Sequence, residues 1–267
     1  MEATAAPIGV FDSGLGGLTV LRALIDLLPG TSTIYFGDTG RFPYGPKPAD
    51  EVLKYSLEIA DLLIDRRVKM LVVACNSATS VALDALAAHL AIPVVGVVEP
   101  GVRAAAAVTE TGRIGVIGTV GTIASGAYQR AAARSGVHLT CAACPGFVEF
   151  VEAGDVDSDQ VHVLAERLLA PVRAANVDTL VLGCTHYPLL ARTIGDVLGQ
   201  HVMLVSSADA TAVAVRDLLA AGGVQAEQRA RDSRHIFLTS GRVDTFRSLG
   251  SRFLGPEVDT VEAWNWT

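Results

Sequence analysis

Charge, aromatic residues and cysteine are all scarce in this chain of 267 residues. Charged residues make up 18% of it against 50% hydrophobic, so it is not disordered; disorder needs low hydrophobicity and high net charge. Glycine (26) and proline (11) are too few for a collagen-like or low-complexity chain. No apolar run approaches the roughly 20 residues that a membrane-spanning helix needs. Stretches such as AIPVVGVV at 91–98 are short and interrupted by Pro or Gly. The opening MEATAAPIGV has no basic run and no long apolar core. No secretory leader is expected, and a cytoplasmic location is. In that compartment the four cysteines, Cys75, Cys141, Cys144 and Cys184, stay reduced. They are buried small apolar residues or they carry chemistry.

Further absences narrow the chemistry. Basic residues number 21 against 28 acidic, a net charge of −7. Such a surface repels phosphate backbones, so bulk electrostatics do not support nucleic-acid binding. Pyridoxal phosphate requires a Schiff-base lysine, and the only lysines are Lys47, Lys54 and Lys69. Of these only Lys47, after FPYGP, is a candidate, and no strand-end motif holds it. A reaction without cofactor is therefore expected. Cys141-Ala-Ala-Cys144 has metal or redox spacing, but structural zinc takes four ligands. No second C-x-x-C or paired-His motif exists, and Pro145 and Gly146 follow where a redox helix would begin. No metal is expected.

What is abundant is alternation. Runs rich in Val and Ile recur at 8–11, 33–36, 70–74, 92–98, 113–118, 178–183, 201–205 and 235–239. Most lack two-residue periodicity, as strands covered by helices on both faces do. Between them lie Ala/Leu-rich stretches with helical spacing, including 49–66, 77–90, 158–175 and 207–221. The pattern predicts an α/β fold, either one barrel or two smaller doubly wound sheets. An internal repeat favours two. GVFDSGLGG begins at Gly9 and GVIGTVGT at Gly115; VVACNSAT carries Cys75 and LVLGCTHYP carries Cys184. Both pairs are offset by nearly the same length, 106 and 109 residues (115 − 9 and 184 − 75). Two similar doubly wound parallel-sheet domains related by pseudo-two-fold symmetry are expected. The expected division is 1–98 with 207–267 for the first and 99–206 for the second, with the active site in the cleft between them.

Ligands of α/β sheets bind beyond the carboxyl ends of the strands. Four strands run into polar turns there: Asp12–Ser13, Cys75–Asn76–Ser77, Thr119, and Cys184–Thr185–His186. If the domains face each other, Cys75 and Cys184 approach from opposite sides. One thiolate and one thiol on opposite faces of a carbon can remove a proton from one face and return it on the other, inverting the centre. A packed, inert role for both cysteines is the competing reading. His186 can tune Cys184 or be a satisfied structural histidine. Asp12 can pair with a substrate ammonium, take a proton from Cys75 or cap a helix. Glu152 can assist or lie on a solvated helix face. Free turn amides favour a carboxylate at these sites. Gly14–Gly17 with Asp38 imitates a dinucleotide fingerprint, but Thr19 stands where its third glycine belongs. A nucleotide-dependent oxidoreductase and a non-catalytic amino-acid binding module are the alternatives.

IGVFDSGLGGLTVL, YFGDTGRFPYGPK, VVACNSAT, VVEPG, GVIGTVGT and LGCTHYPLL together resemble the glutamate racemases, within the wider aspartate/glutamate racemase family. The resemblance runs from about Ile8 to about residue 250. It implies cofactor-independent interconversion of L- and D-glutamate, supplying D-glutamate for peptidoglycan. It implies Cys75 as the base toward the D-enantiomer and Cys184 toward the L-enantiomer, with Asp12, Glu152 and His186 assisting. By the same resemblance Asp12–Ser13, Tyr44–Gly45, Asn76–Ser77, Thr119, Thr122 and Thr185–His186 hold substrate. Ser77 stands where the family usually has Thr; both supply a hydroxyl. The resemblance also implies a homodimer. Some members bind DNA gyrase, for or against which this acidic chain says nothing.

Overall fold

The computed structural model describes residues 6–222, 233–258 and 260–266. The first five residues of the opening segment thus lie outside the described residues. The apolar runs form parallel strands in two sheets. The first sheet holds β1 (Ile8–Asp12), β2 (Thr33–Gly37), β3 (Met70–Val73) and β4 (Val94–Gly96). The second holds β5 (Arg113–Gly118), β6 (His138–Ala143), β7 (Thr179–Gly183) and β8 (Met203–Ser206). The chain then returns to the first sheet with β9 (His235–Thr239) and β10 (Val261–Ala263).

The strand orders are β10-β9-β2-β1-β3-β4 and β6-β5-β7-β8. With β5 set on β1 and β7 on β3, the second order repeats the β2-β1-β3-β4 part of the first. Gly9 and Gly115 take equivalent places in the two central strands, and Cys75 and Cys184 follow equivalent strands. This explains the shared offset. We propose the division 1–98 with 207–267, and 99–206, on this assignment of strands to sheets.

Every residue of β1, β2, β3 and β7 is buried, which is why these segments show no polar–apolar alternation. On one face of the first sheet Ile8, Val10 and Tyr35 meet helices Leu18–Leu27 and Ser207–Ala221. On the other face Phe11, Phe36 and Val73 meet helices Ala49–Asp65 and Asn76–His89. Each such large apolar side chain contributes about 1.5–3 kcal/mol by leaving water. The strand ends are thereby held by a rigid support. Among the described residues no helix is long and apolar enough to cross a membrane.

Two expectations change. The helix read at 158–175 is two helices, Asp159–Leu168 and Ala170–Ala174, separated at Leu169. Pro171 has no N–H to continue the ladder and crowds the preceding turn. β6 and β10 lie outside the runs expected as strands: β10 is a three-residue edge strand, and β6 is a half-exposed edge strand of mixed polarity, HLTCAA, without a long Val/Ile run. It carries Cys141, while Cys144 lies just past its end. Cys141 packs beside Val116 and Tyr128, Cys144 with Phe147 and Tyr187 on the other face.

Candidate active site

In a strand order of 2-1-3-4 the neighbouring strands 1 and 3 send their connections to opposite faces, leaving a crevice at their carboxyl ends. Each domain has such a crevice. In the first it is bounded by Asp12–Ser13 at the end of β1 and by Cys75 after β3; in the second by Thr119 after β5 and Cys184 after β7. Side-chain contacts join the two. The Cys75 thiol donates to Ser13 Oγ at 3.6 Å, and Thr185 Oγ1 donates to Asp12 Oδ1 at 3.4 Å. The Asp12–Ser13 turn therefore touches both cysteine-bearing loops. The cysteines are buried, 5% and 7% exposed, so anything reacting between them is shielded from water.

Cys75 caps helix Asn76–His89, its sulfur accepting the Ala78 amide at 3.5 Å. Burial pushes its thiol up to about 12, and the Asp12 carboxylate adds to this; the Ala78 amide and Ser13 oppose it. The thiol is protonated near neutral pH. Asp12 is itself fully buried. Burial raises its pKa against the lowering influence of His186, the Gly14 amide and Thr185.

Cys184 has a different partner. His186 Nδ1 lies 4.0 Å from its sulfur, and His186 Nε2 meets Glu152 Oε1 at 2.7 Å. Burial would lower the histidine pKa, but hydrogen bonds to Cys184 and Glu152 outweigh it and raise the ring to about 10. His186 is then an imidazolium, with a positive charge beside Cys184. Phe42 lies over the ring, centroids 5.9 Å apart, and Phe253 meets it edge-on at 5.7 Å. The two cysteines are thus unequally poised, Cys75 beside an anion and Cys184 beside a cation.

A polar surface for an anion adjoins the thiols. Ser77 Oγ lies 3.0 Å from Thr119 Oγ1 and 3.2 Å from Thr122 Oγ1, so both domains supply hydroxyls to one cluster. Asn76 Oδ1 accepts from Tyr128 at 2.7 Å, while its buried Nδ2 has no partner among the described residues. A buried amide N–H₂ without an acceptor costs about 1–3 kcal/mol, so a ligand oxygen there is strongly favoured. The first N–H groups of the same helix add positive character.

Of the residues named from sequence, Asp12, Ser13, Cys75, Cys184, Thr185, His186 and Glu152 form one connected set. Ser77, Thr119 and Thr122 form the adjoining hydroxyl cluster. Tyr44 differs, because its hydroxyl donates to Asp38. The Gly45 carbonyl accepts the Gly121 amide of the second domain at 3.0 Å. Sequence reading missed Tyr128 and Phe42, which reach the site only through the fold. The dinucleotide reading fails on geometry. A Cβ on Gly16 would lie 2.3 Å from Thr185 Oγ1, and one on Gly17 would lie 2.5 Å from Asp12 Cβ. These glycines permit close packing of the thiol loops. The Asp38 carboxylate is already engaged by protein donors. Lys47 meets Glu51 at 3.1 Å.

Comparison with known proteins gives a consistent result. A family model described as Asp/Glu/Hydantoin racemase matches residues 8–215. A glutamate racemase of Geobacter metallireducens is 51% identical over 256 residues, covering 95% of this chain and 94% of the relative. The crystal structure of a glutamate racemase isoform from Bacillus anthracis superposes with a TM-score of 0.92 at 40% identity, covering 99% and 98% of the two chains. The glutamate racemase of Francisella tularensis, solved in complex with D-glutamate, superposes with a TM-score of 0.89 at 32% identity, covering 98% and 97%.

Proposed function

This chain belongs to the Asp/Glu/hydantoin racemase family and is an isomerase, and from that premise we propose that it interconverts L- and D-glutamate by proton transfer between Cys75 and Cys184 without a cofactor. The observation that carries the mechanism is the unequal poise of the two cysteines. With L-glutamate bound, Cys184, beside the His186 cation, removes the Cα proton. Cys75, held as a thiol, delivers its proton to the opposite face. The D-direction reverses the roles: Asp12 beside Cys75 accepts the proton that makes Cys75 a base, and His186 passes to Cys184 the proton that Cys184 delivers to the opposite face. Glu152 holds the His186 ring in place. Asn76 Nδ2 and the Ser77–Thr119–Thr122 hydroxyls suit carboxylate oxygens, since bonds to charged acceptors are worth about 1.5–3 kcal/mol each.

Glutamate as substrate draws support from the glutamate racemase relatives and from the D-glutamate complex of one of them. We place the product in peptidoglycan synthesis and the working form as a homodimer. The test is loss of L-glutamate ellipticity by purified protein without added cofactor, after dialysis against EDTA. Sustained racemisation supports the reading. A requirement for pyridoxal phosphate, nicotinamide or metal overturns the cofactor-free mechanism, and comparable kcat/KM for aspartate overturns the substrate.

A further inference from the structure

The segment after β2, residues 38–46, touches both domains. Phe42 lies against His186 and approaches Gly14 so closely that a Cβ there would come within 2.8 Å of the ring. Three residues on, Gly45 passes the second domain with no space for a side chain, since a Cβ would lie 2.8 Å from Thr119 Cβ. The segment thus spans the two halves of the site, and a single buried carboxylate anchors it. Asp38 is 0% exposed and accepts four hydrogen bonds. Its Oδ2 takes Arg41 Nε at 2.7 Å and the Tyr44 hydroxyl. Its Oδ1 takes Ser240 Oγ at 2.6 Å and Trp266 Nε1 at 3.1 Å. Two of these donors lie in the segment itself; the other two come from beyond β9 and β10. Arg41 is in turn sandwiched between the Tyr55 and Trp266 rings, 4.0 and 3.9 Å from their centroids.

We propose that Asp38 is a positioning residue for glutamate binding. By gathering Arg41, Tyr44, Ser240 and Trp266 it holds Phe42 over His186 and Gly45 against Thr119, so that the anion-binding face is formed before substrate arrives. It touches no reacting atom. The inference rests on the glutamate reading above. Its physical content is preorganisation: binding weakens as the inverse of the fraction of time the competent arrangement is held.

The test is Asp38→Asn. An amide offers one acceptor oxygen to four donors, so at least two are left facing N–H groups. KM for glutamate should rise about tenfold in both directions, as expected if the competent arrangement is held only a tenth of the time. With both thiols untouched, kcat should stay within about twofold, a split that loss of folded protein cannot produce. In a Trp264→Phe background the remaining tryptophan is Trp266, and its emission should shift to the red in Asp38→Asn. Trp266→Phe keeps a ring over Arg41 and removes one donor; it should raise KM by a smaller factor with kcat unchanged. This second variant decides the matter if Asp38→Asn does not fold. KM unchanged in a folded variant, or kcat falling at constant KM, overturns the proposal. A wild-type protein inactive on glutamate overturns the substrate reading instead.

Discussion

Asn76 offers the sharpest single-residue perturbation of the site. Its Oδ1 is satisfied by the Tyr128 hydroxyl at 2.7 Å, and its buried Nδ2 has no protein acceptor among the described residues. Asn76→Asp keeps the shape and the Tyr128 bond, and replaces the free donor by a negatively charged oxygen. The lost bond to a substrate carboxylate is worth about 1.5–3 kcal/mol. Two unit charges about 4 Å apart add roughly 4 kcal/mol of repulsion at an effective dielectric constant near 20. Together these predict a fall in kcat/KM of more than about a thousandfold, since each 1.4 kcal/mol is a factor of ten. Circular dichroism read from pure L- and pure D-glutamate measures it. Enantiomers have equal free energy, so the fall must be the same in both directions. Retention of kcat/KM within about threefold of wild type would refute the assignment of Asn76 to a substrate carboxylate.

Glu152→Gln removes the carboxylate that helps hold the His186 proton at 2.7 Å, so the basic limb of the kcat/KM profile should move to lower pH by about one unit, equally in both directions; an unmoved limb contradicts the role given to Glu152. Thermal stability should fall as pH rises from 7 to 10. His186 is raised from 6.5 to about 10, so its stabilising contribution is complete below 6.5 and lost as pH passes through about 10. His186→Asn should flatten that decline in melting experiments, and an unchanged slope counts against it. Gly16→Ala places a methyl 2.3 Å from Thr185 Oγ1 and 2.6 Å from His186 Nδ1, so racemisation should be lost in a protein that still folds; normal kcat with normal KM contradicts the close packing of the two loops.

Much of this site is legible in the sequence because α/β sheets place chemistry at strand ends. The runs VVACNSAT and LVLGCTHYP announce a buried strand, then a cysteine, then hydrogen-bonding residues, and their offset matches that of Gly9 and Gly115. Glu152 was not separable from a solvated helix face by pattern alone, because its contact with His186 joins residues 34 apart. Asp38 is the instructive case. Its distance from the glycine run imitates a ribose-binding acid, yet donors 202 and 228 residues downstream consume its lone pairs. β6 escaped notice because an edge strand need not be apolar on both faces. Tyr128 and Phe42 reach the site only through tertiary packing.

The central claim is that each face of Cα has its own thiol, and proton bookkeeping in D₂O tests it most directly. Starting from L-glutamate, the proposed mechanism has Cys184 take the substrate proton and Cys75, already exchanged with solvent, return deuterium to the other face. The D-glutamate formed should carry solvent deuterium at Cα from the first turnovers, while the remaining L-glutamate stays largely unlabelled. Starting from D-glutamate, the pattern should invert. Equal early labelling of the substrate and product pools would mean one base serving both faces, and would contradict the opposed roles of Cys75 and Cys184.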